Sequence, residues 1–146
     1  MNNQIKIINN KIKTGEIIMP KYTVLITEDN PKNRKVFKDI LSVHGYISIE
    51  AVDGEEGYKM AKEHKPDLIV MDVQLPRADG YEVTRRLKSE DDTKDIPIII
   101  VTSFAMAVEE NEARAAGCND YLTKPINIHQ FIEMIKKYLP DQGLTS

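Results

Sequence analysis

Polar side chains follow the predicted strands of this 146-residue chain at the points where those strands end. In open parallel sheets the carboxyl ends of the strands share one edge, and ligands bind in the crevice beside it. We therefore expect three carboxylates, one hydroxyl and one ammonium to converge in a single crevice. They belong to Glu28, Asp29, Asp72, Thr102 and Lys124.

This set of groups predicts a cation site and phosphoryl transfer onto an aspartate. Like charges a few Å apart oppose ionisation, so the carboxylates are costly together unless a cation neutralises them. Hard carboxylate and carbonyl oxygens suit Mg²⁺, with Mn²⁺ as the alternative ion. A carboxylate nucleophile beside a metal, a hydroxyl and a lysine has what phosphoryl transfer requires, because these groups stabilise charge on the transferring oxygens.

The elements that position these residues alternate along the chain. Strand patterns cover residues 22–27, 46–51, 67–71, 96–102 and 119–123. The continuous apolar run in the third pattern indicates a strand buried on both faces. Helix starts are predicted by capping residues, Asn30 before Pro31 and the pairs Asp53 and Glu56, Asp79 and Glu82, and Asn127 and Gln130.

Helical spacing predicts which face of two helices is buried. The first face comprises Val36, Phe37, Ile40 and Leu41, and the last comprises Ile128, Phe131, Ile132, Ile135, Tyr138 and Leu139. A fourth helix is expected over residues 105–116. Five strands alternating with five helices indicate an α/β fold, a doubly wound parallel sheet with helices on both faces.

Composition excludes several classes of function. Apolar residues make up 41% and charged residues 29%, which is ordinary for a globular domain. The net charge of −3 disfavours nucleic acid, which needs a basic surface. Cys118 is the single cysteine, so no internal disulfide forms, and a reducing cytoplasmic location is expected. No run reaches the roughly 20 apolar residues that cross a bilayer.

We expect residues 21–140 to form one domain. Residues 1–20 are an extension of uncertain status, either a genuine segment or the product of a start codon assigned too early at Met1 instead of Met19. Residues 141–146 form a short tail, too short for an output or DNA-binding domain.

Four segments together resemble the receiver domain of two-component response regulators. They are VLITEDNPKNR, PDLIVMDVQLPRADGYEV, IPIIIVTSFA and AGCNDYLTKPI, in family order. The sequence FAMA after Thr102 and the sparse tail are most similar to stand-alone DivK-like regulators. The resemblance implies a flavodoxin-like (βα)5 sheet with strand order 2-1-3-4-5.

The resemblance also implies a role for each site residue. Asp72 matches the phosphoacceptor, Asp29 the direct metal ligand, and Glu28 the acid that acts through water. Gln74 takes the position whose backbone carbonyl binds the metal. Thr102 matches the switch hydroxyl. Lys124 matches the family's lysine and Tyr121 the aromatic residue that reorients on activation.

Two further features follow from the same comparison. A cis peptide bond is implied between Lys124 and Pro125, which sequence alone leaves open. Ala78 and Phe104 depart from the family pattern, and Phe104 puts the rate of spontaneous dephosphorylation in question.

The implied function is that of a signalling phosphoacceptor in a phosphorelay, not an enzyme acting on other substrates. Its donor would be a sensor histidine kinase or a histidine phosphotransfer protein. Output would reach a downstream protein through the face of the fourth helix, fifth strand and fifth helix. The protein would be a monomer or a phosphorylation-dependent dimer, without a membrane partner.

Three other functions compete with this interpretation. A Mg²⁺-dependent aspartyl phosphatase would carry a second aspartate where Gln74 stands. A flavin binder on the same topology needs a phosphate loop after the first strand, where Glu28 and Asp29 would repel a phosphate. A pseudo-receiver that only binds partners would not need the full set of five residues.

Some individual residues also have simpler interpretations. Tyr121 could serve only in packing, and Thr102 could simply end a strand. Cys118 is expected to be a packing residue. The basic residues of the first helix face either an acidic kinase or solvent; they are Lys32, Arg34, Lys35 and Lys38.

Overall fold

Five parallel strands form one sheet in a computed structural model that describes residues 22–75, 79–103 and 107–140. The strands are β1 (Thr23–Thr27), β2 (Ile47–Ala51), β3 (Leu68–Asp72), β4 (Ile98–Thr102) and β5 (Asp120–Thr123). Their order is β2-β1-β3-β4-β5, which confirms the predicted 2-1-3-4-5 arrangement. The helices are α1 (Pro31–Val43), α2 (Gly54–His64), α3 (Gly80–Ser89), α4 (Ala107–Ala115) and α5 (Ile128–Tyr138).

The predicted helix caps are confirmed at four positions. The side chain of Asn30 accepts hydrogen bonds from the backbone N–H groups of Lys32 and Asn33. The other three caps each accept a bond from the N–H three residues on; they are Asp53, Asp79 and Asn127. These side chains satisfy N–H groups that have no partner within the helix, so each fixes where its helix begins.

Each face of the sheet is covered by its own apolar cluster. One cluster joins alternate strand residues, such as Val70 and Val101, to the buried sides of α1 and α5. The other joins the opposite strand residues, such as Met71 and Ile100, to α2, α3 and α4. All five residues of β3 are buried, as predicted for a strand covered on both sides.

Two residues of the predicted apolar faces are exposed instead of buried. Val36 on α1 is 48% exposed and Ile128 on α5 is 57% exposed, whereas Phe37 and Phe131 beside them are buried and in ring contact. Val36 lines an open cleft, and Ile128 is the first residue of its helix. A helical period identifies a face but not how far the neighbouring element covers it.

Several expectations lie outside the described residues. They are those on residues 1–20, on Ala78, on Phe104 and the FAMA segment, and on residues 141–146. Within the described parts of the chain, no helix is both long and apolar enough to cross a membrane.

Candidate functional site

Strand register brings the predicted site residues to one edge of the sheet. Thr27, the last residue of β1, pairs with Met71, so Glu28 and Asp72 follow side by side. Thr102, the last residue of β4, pairs with Thr123 of β5. The N–H of Lys124 then donates to the carbonyl of Thr102 at 2.7 Å. The carboxyl ends of β1, β3, β4 and β5 therefore carry the site, as the topology predicts.

Lys124 joins two of the carboxylates. Its Nζ lies 2.8 Å from Glu28 Oε1 and 2.8 Å from Asp72 Oδ2. Asp72 Oδ1 accepts a hydrogen bond of 2.9 Å from the N–H of Gln74, two residues further on. Asp72 is therefore held by both carboxylate oxygens, and Lys124 supplies a counter-charge inside the cluster. The peptide bond between Lys124 and Pro125 is cis, as expected.

The acidic residues lie close enough together to hold a cation. Carboxylate oxygens of Glu28, Asp29 and Asp72 lie within 4.8 Å of one another. Glu28 and Asp72 are buried, and Asp29 is exposed. Glu28 Oε2 is buried without a hydrogen-bond partner among the described residues. A bound divalent ion with its water would satisfy that oxygen, and the all-oxygen donor set suits Mg²⁺.

Two groups of the cluster, Glu28 and Lys124, have pKa values shifted from their usual ones. Burial, followed by the neighbouring Asp72 carboxylate, raises the pKa of Glu28 above its usual value. Burial alone would lower the pKa of Lys124, but its bonds to Asp72 and Glu28 outweigh that effect and raise it. Lys124 therefore stays charged, while ionisation of Glu28 is less favourable than that of a glutamate in water.

Gly80 sets how closely α3 approaches the end of β3. A Cβ atom at this position would lie 2.2 Å from the carbonyl oxygen of Asp72. The N–H of Gly80 also donates to the carbonyl of Val73 at 3.1 Å. Only glycine permits this contact, so the first turn of α3 is fixed against Asp72. Sequence analysis missed this role, although a glycine directly after the Asp79 cap could have indicated it.

Thr102 and Tyr121 lie on the same side of the sheet. Thr102 is buried, and Tyr121 is half-buried against the cluster beneath α2, α3 and α4. Tyr121 pairs with Ile100, two residues before Thr102, so the two side chains are diagonal neighbours on one face. Burial, followed by Glu109, raises the pKa of Tyr121. Cys118 packs half-buried against the same cluster.

Arg34 was expected to face a partner or solvent. The structure instead places its guanidinium against the backbone of Glu28 and Asp29. Its guanidinium donates to the backbone carbonyls of Glu28 and Asp29. The side chain is only 17% exposed. The two neighbouring lysines are exposed, as expected: Lys35 pairs with Asp39, and Lys38 lies near Glu50. No sequence signal distinguishes this arginine from the other basic residues of α1.

Comparison with known proteins identifies the family of this chain. The family model for the response regulator receiver domain matches residues 24–136. The chain is 49% identical to the polar-differentiation response regulator DivK of Brucella anthropi over 84% of this chain and 99% of that protein. It is 47% identical to DivK of Brucella ovis, with 82% and 97% covered. The chain therefore belongs to the receiver domain family of response regulators.

Solved structures of receivers share this architecture. The receiver domain of sensor histidine kinase PA1611 from Pseudomonas aeruginosa, which has a magnesium ion coordinated in its active-site cleft, matches with a TM-score of 0.76 and 31% identity. That match covers 81% of this chain and 97% of the other. The chemotaxis response regulator CheY4 of Vibrio cholerae matches with a TM-score of 0.76 and 26% identity, over 80% and 98%.

Proposed function

We propose that Asp72 is the phosphoacceptor of this receiver and takes its phosphoryl group from a phosphohistidine donor. One observation carries the proposal: the Asp72 carboxylate lies buried at the sheet edge, 2.8 Å from the Lys124 ammonium, in a cluster with Glu28 and Asp29. A carboxylate nucleophile needs neighbouring positive charge to receive a group rich in negative oxygens. Lys124 supplies one such charge, and a cation bound by the carboxylates would supply the other.

Mg²⁺ is the metal that we propose for the acidic cluster. Asp29 and Asp72 would hold it directly, Glu28 would act through a bound water, and the backbone carbonyl of Gln74 would complete the protein ligands. When bound, the ion supplies positive charge that neutralises the phosphoryl oxygens during transfer. Two observations support this assignment: the carboxylates lie close together, and Glu28 Oε2 has no hydrogen-bond partner among the described residues.

The transfer step forms one bond to phosphorus and breaks one. A carboxylate oxygen of Asp72 attacks phosphorus, the phosphorus–nitrogen bond of the donor breaks, and its electron pair stays on the imidazole nitrogen. The product on the chain is an aspartyl phosphate. Lys124 keeps its charge and stabilises the phosphoryl oxygens, and the Thr102 hydroxyl donates a hydrogen bond to one of them. Hydrolysis of the acyl phosphate by the same site would return Asp72.

A phosphatase function is less well supported. It would require an acid to protonate an alcohol leaving group, and the position two residues after Asp72 carries the exposed amide side chain of Gln74. An amide cannot donate a proton as a general acid, and an imidazole leaving group does not need one as strongly. A signalling phosphoacceptor therefore fits the site better than an enzyme with turnover.

The donor protein is proposed to dock beside α1. A cleft of about 190 Å³ opens there, lined by Asn33, Val36, Phe37, Lys124, Pro125 and Ile126. Lys124 also contacts Asp72, so a partner in this cleft lies next to the acceptor. The exposed Val36 offers an apolar anchor, and Lys32 and Lys35 are exposed cations nearby. A histidine kinase or phosphotransfer protein with an acidic surface around its phosphohistidine suits these features.

Output is proposed to leave through α4, β5 and α5. Once Asp72 is phosphorylated, the Thr102 hydroxyl moves to the phosphoryl group and Tyr121 turns inward into the vacated space. Their placement on one face of β4 and β5 supports this route. A downstream protein would then bind the altered surface, or a second copy would form a phosphorylation-dependent dimer.

The domain boundaries and location form part of the proposal. Residues 21–140 would fold as the receiver, with residues 1–20 as an extension and 141–146 as a tail. The described elements and the family match to residues 24–136 support these bounds. A chain that begins at Met19 should then melt at the same temperature as the full chain.

The single cysteine supports a cytoplasmic location.

Incubation with acetyl phosphate and Mg²⁺ tests the acceptor function. Intact-mass measurement should show one added phosphoryl group that is lost in alkali, and Asp72→Asn should not acquire it. An equal mass gain in Asp72→Asn would reject Asp72 as the acceptor. Asp67→Asn is the matched control, because Asp67 precedes the same strand at its opposite end and should accept phosphate like the wild type.

A further inference from the structure

The acidic residues Glu28 and Asp29 are adjacent in the chain, yet their carboxylates converge with that of Asp72. Successive side chains of a regular strand point to opposite faces. Adjacent residues can therefore serve one site only where the backbone leaves the strand conformation. Here β1 ends at Thr27, and the chain turns before α1 begins at Pro31. Something must hold this turn against the repulsion between its two carboxylates.

Arg34 bonds to the backbone of this turn. Its Nη1 donates to the carbonyl of Glu28 at 3.0 Å and to the carbonyl of Asp29 at 3.1 Å. Two consecutive carbonyls thus accept hydrogen bonds from one guanidinium nitrogen. The Nε of Arg34 lies 3.4 Å from Glu50 Oε1 on β2. This ion pair helps to orient the guanidinium.

Other hydrogen bonds anchor the two ends of the turn. The N–H of Glu28 donates to the carbonyl of Ala51 at 3.1 Å, and the Asn30 side chain caps α1. Among the described residues, Arg34 donates the side-chain hydrogen bonds to the Glu28 and Asp29 carbonyls. The guanidinium therefore bridges the two peptide groups of the turn.

From this geometry we infer that Arg34 is a positioning residue for the metal site. It acts through the backbone of Glu28 and Asp29 and does not touch the metal or the phosphoryl group. The inference rests on the proposed function, since it assigns a role toward the proposed Mg²⁺. Partners that orient metal ligands typically contribute 10–100-fold to metal affinity.

Charge and geometry predict opposite effects of removing this arginine. Loss of a cation near three carboxylates would tighten Mg²⁺ binding by electrostatics alone. Loss of the turn would weaken binding, because the carboxylates would separate to reduce their repulsion. We expect geometry to dominate, because the Arg34 side chain is only 17% exposed and donates directly to two carbonyls of the loop.

The test is calorimetric titration of the metal-free full chain with Mg²⁺. Arg34→Met should raise the Kd for Mg²⁺ at least about tenfold. Arg34→Lys keeps the charge but lacks the planar fork, so it should also weaken binding. Lys35→Met removes the same charge from an exposed neighbour on α1, and its Kd should stay within about twofold of wild type.

Each outcome decides the inference. Binding by Arg34→Met and Arg34→Lys as tight as wild type, or tighter, would show that Arg34 does not position the metal ligands and would overturn the positioning role. If Arg34→Met does not fold, Arg34→Lys alone decides the question. A wild-type chain that binds no Mg²⁺ would overturn the proposed metal site itself, and the inference with it. Unchanged Mg²⁺ affinity in the Arg34 variants, with normal phosphorylation of Asp72, would leave the proposed function intact.

Discussion

Asp72 and Lys124 stand 52 positions apart in the chain, and their side chains meet at 2.8 Å at the edge of the sheet. Asp72 ends β3, and Lys124 directly follows β5, two strands away in the sheet. The same ammonium reaches Glu28 at the end of β1. One cation at the end of β5 therefore bonds to carboxylates at the ends of β1 and β3, and it already lies beside the proposed acceptor.

The stability of the metal-free protein should fall as pH rises above the usual glutamate pKa. Burial and the Asp72 carboxylate raise the pKa of Glu28 above 4.5, so the folded protein binds this proton more tightly than the unfolded chain. This contribution is complete below pH 4.5 and is lost as pH rises through the raised pKa. Thermal melting in EDTA from that pH to neutrality measures it.

Glu28→Gln should flatten this pH dependence, since the amide does not titrate. Glu63→Gln, which changes an exposed glutamate on α2, should leave the slope as in the wild type. Equal slopes for the wild type and Glu28→Gln would mean that Glu28 does not carry the unfavourable charge of the cluster.

Asp29→Asn should stabilise the protein in the absence of metal. Asp29 is exposed and repels the other two carboxylates, whereas Asp72 is compensated by its bond to Lys124. Relief of about 1 kcal/mol would raise the melting temperature by roughly 3 °C, and added salt should reduce the gain. Melting curves in EDTA measure this change.

Mg²⁺ should reverse the order of stability. Binding to the folded state stabilises the wild type by mass action, and Asp29→Asn should gain much less because it lacks one ligand. Equal stabilisation of both proteins by Mg²⁺ would mean that Asp29 does not belong to the metal site.

Sequence analysis predicted the elements well because their signals are local. The caps Asn30, Asp53 and Asp79 lie where expected, and so does the buried strand before Asp72. The convergence of Glu28, Asp72 and Lys124 was predictable as well, since topology alone brings strand ends to one edge.

Features that depend on non-local contacts were not predictable. Val36 is exposed because a cleft opens beside α1, which no helical period encodes. The role of Arg34 depends on which way two carbonyls of a neighbouring turn point, which the sequence of α1 does not encode. Gly80 has its role only because α3 contacts the end of β3.

Thr102→Ala should separate phosphorylation from the conformational response. The acceptor and metal ligands remain, so Asp72 should still take a phosphoryl group from acetyl phosphate. The hydroxyl bond to the phosphoryl group would be lost, and such charge-assisted bonds contribute about 1.5–3 kcal/mol. That amount shifts a two-state equilibrium by roughly 10–150-fold. Amide chemical-shift changes in residues 107–123 upon phosphorylation measure the response.

Thr102→Ser is the matched control, because it keeps the hydroxyl and should keep the shift changes. Tyr121→Ala should lose them while still accepting phosphate. Full wild-type shift changes in phosphorylated Thr102→Ala would mean that the response does not pass through this hydroxyl.

Locating the phosphoryl group by chemical reduction tests the central claim most directly. Borohydride reduces an aspartyl phosphate to homoserine and leaves free carboxylates unchanged. After phosphorylation with acetyl phosphate and Mg²⁺, we predict homoserine at residue 72 by peptide sequencing in a mass spectrometer, and none when Mg²⁺ is replaced by EDTA. Homoserine at residue 29 or 28, or at no residue while the intact protein carries the added phosphoryl mass, would contradict the assignment of Asp72 as the phosphoacceptor.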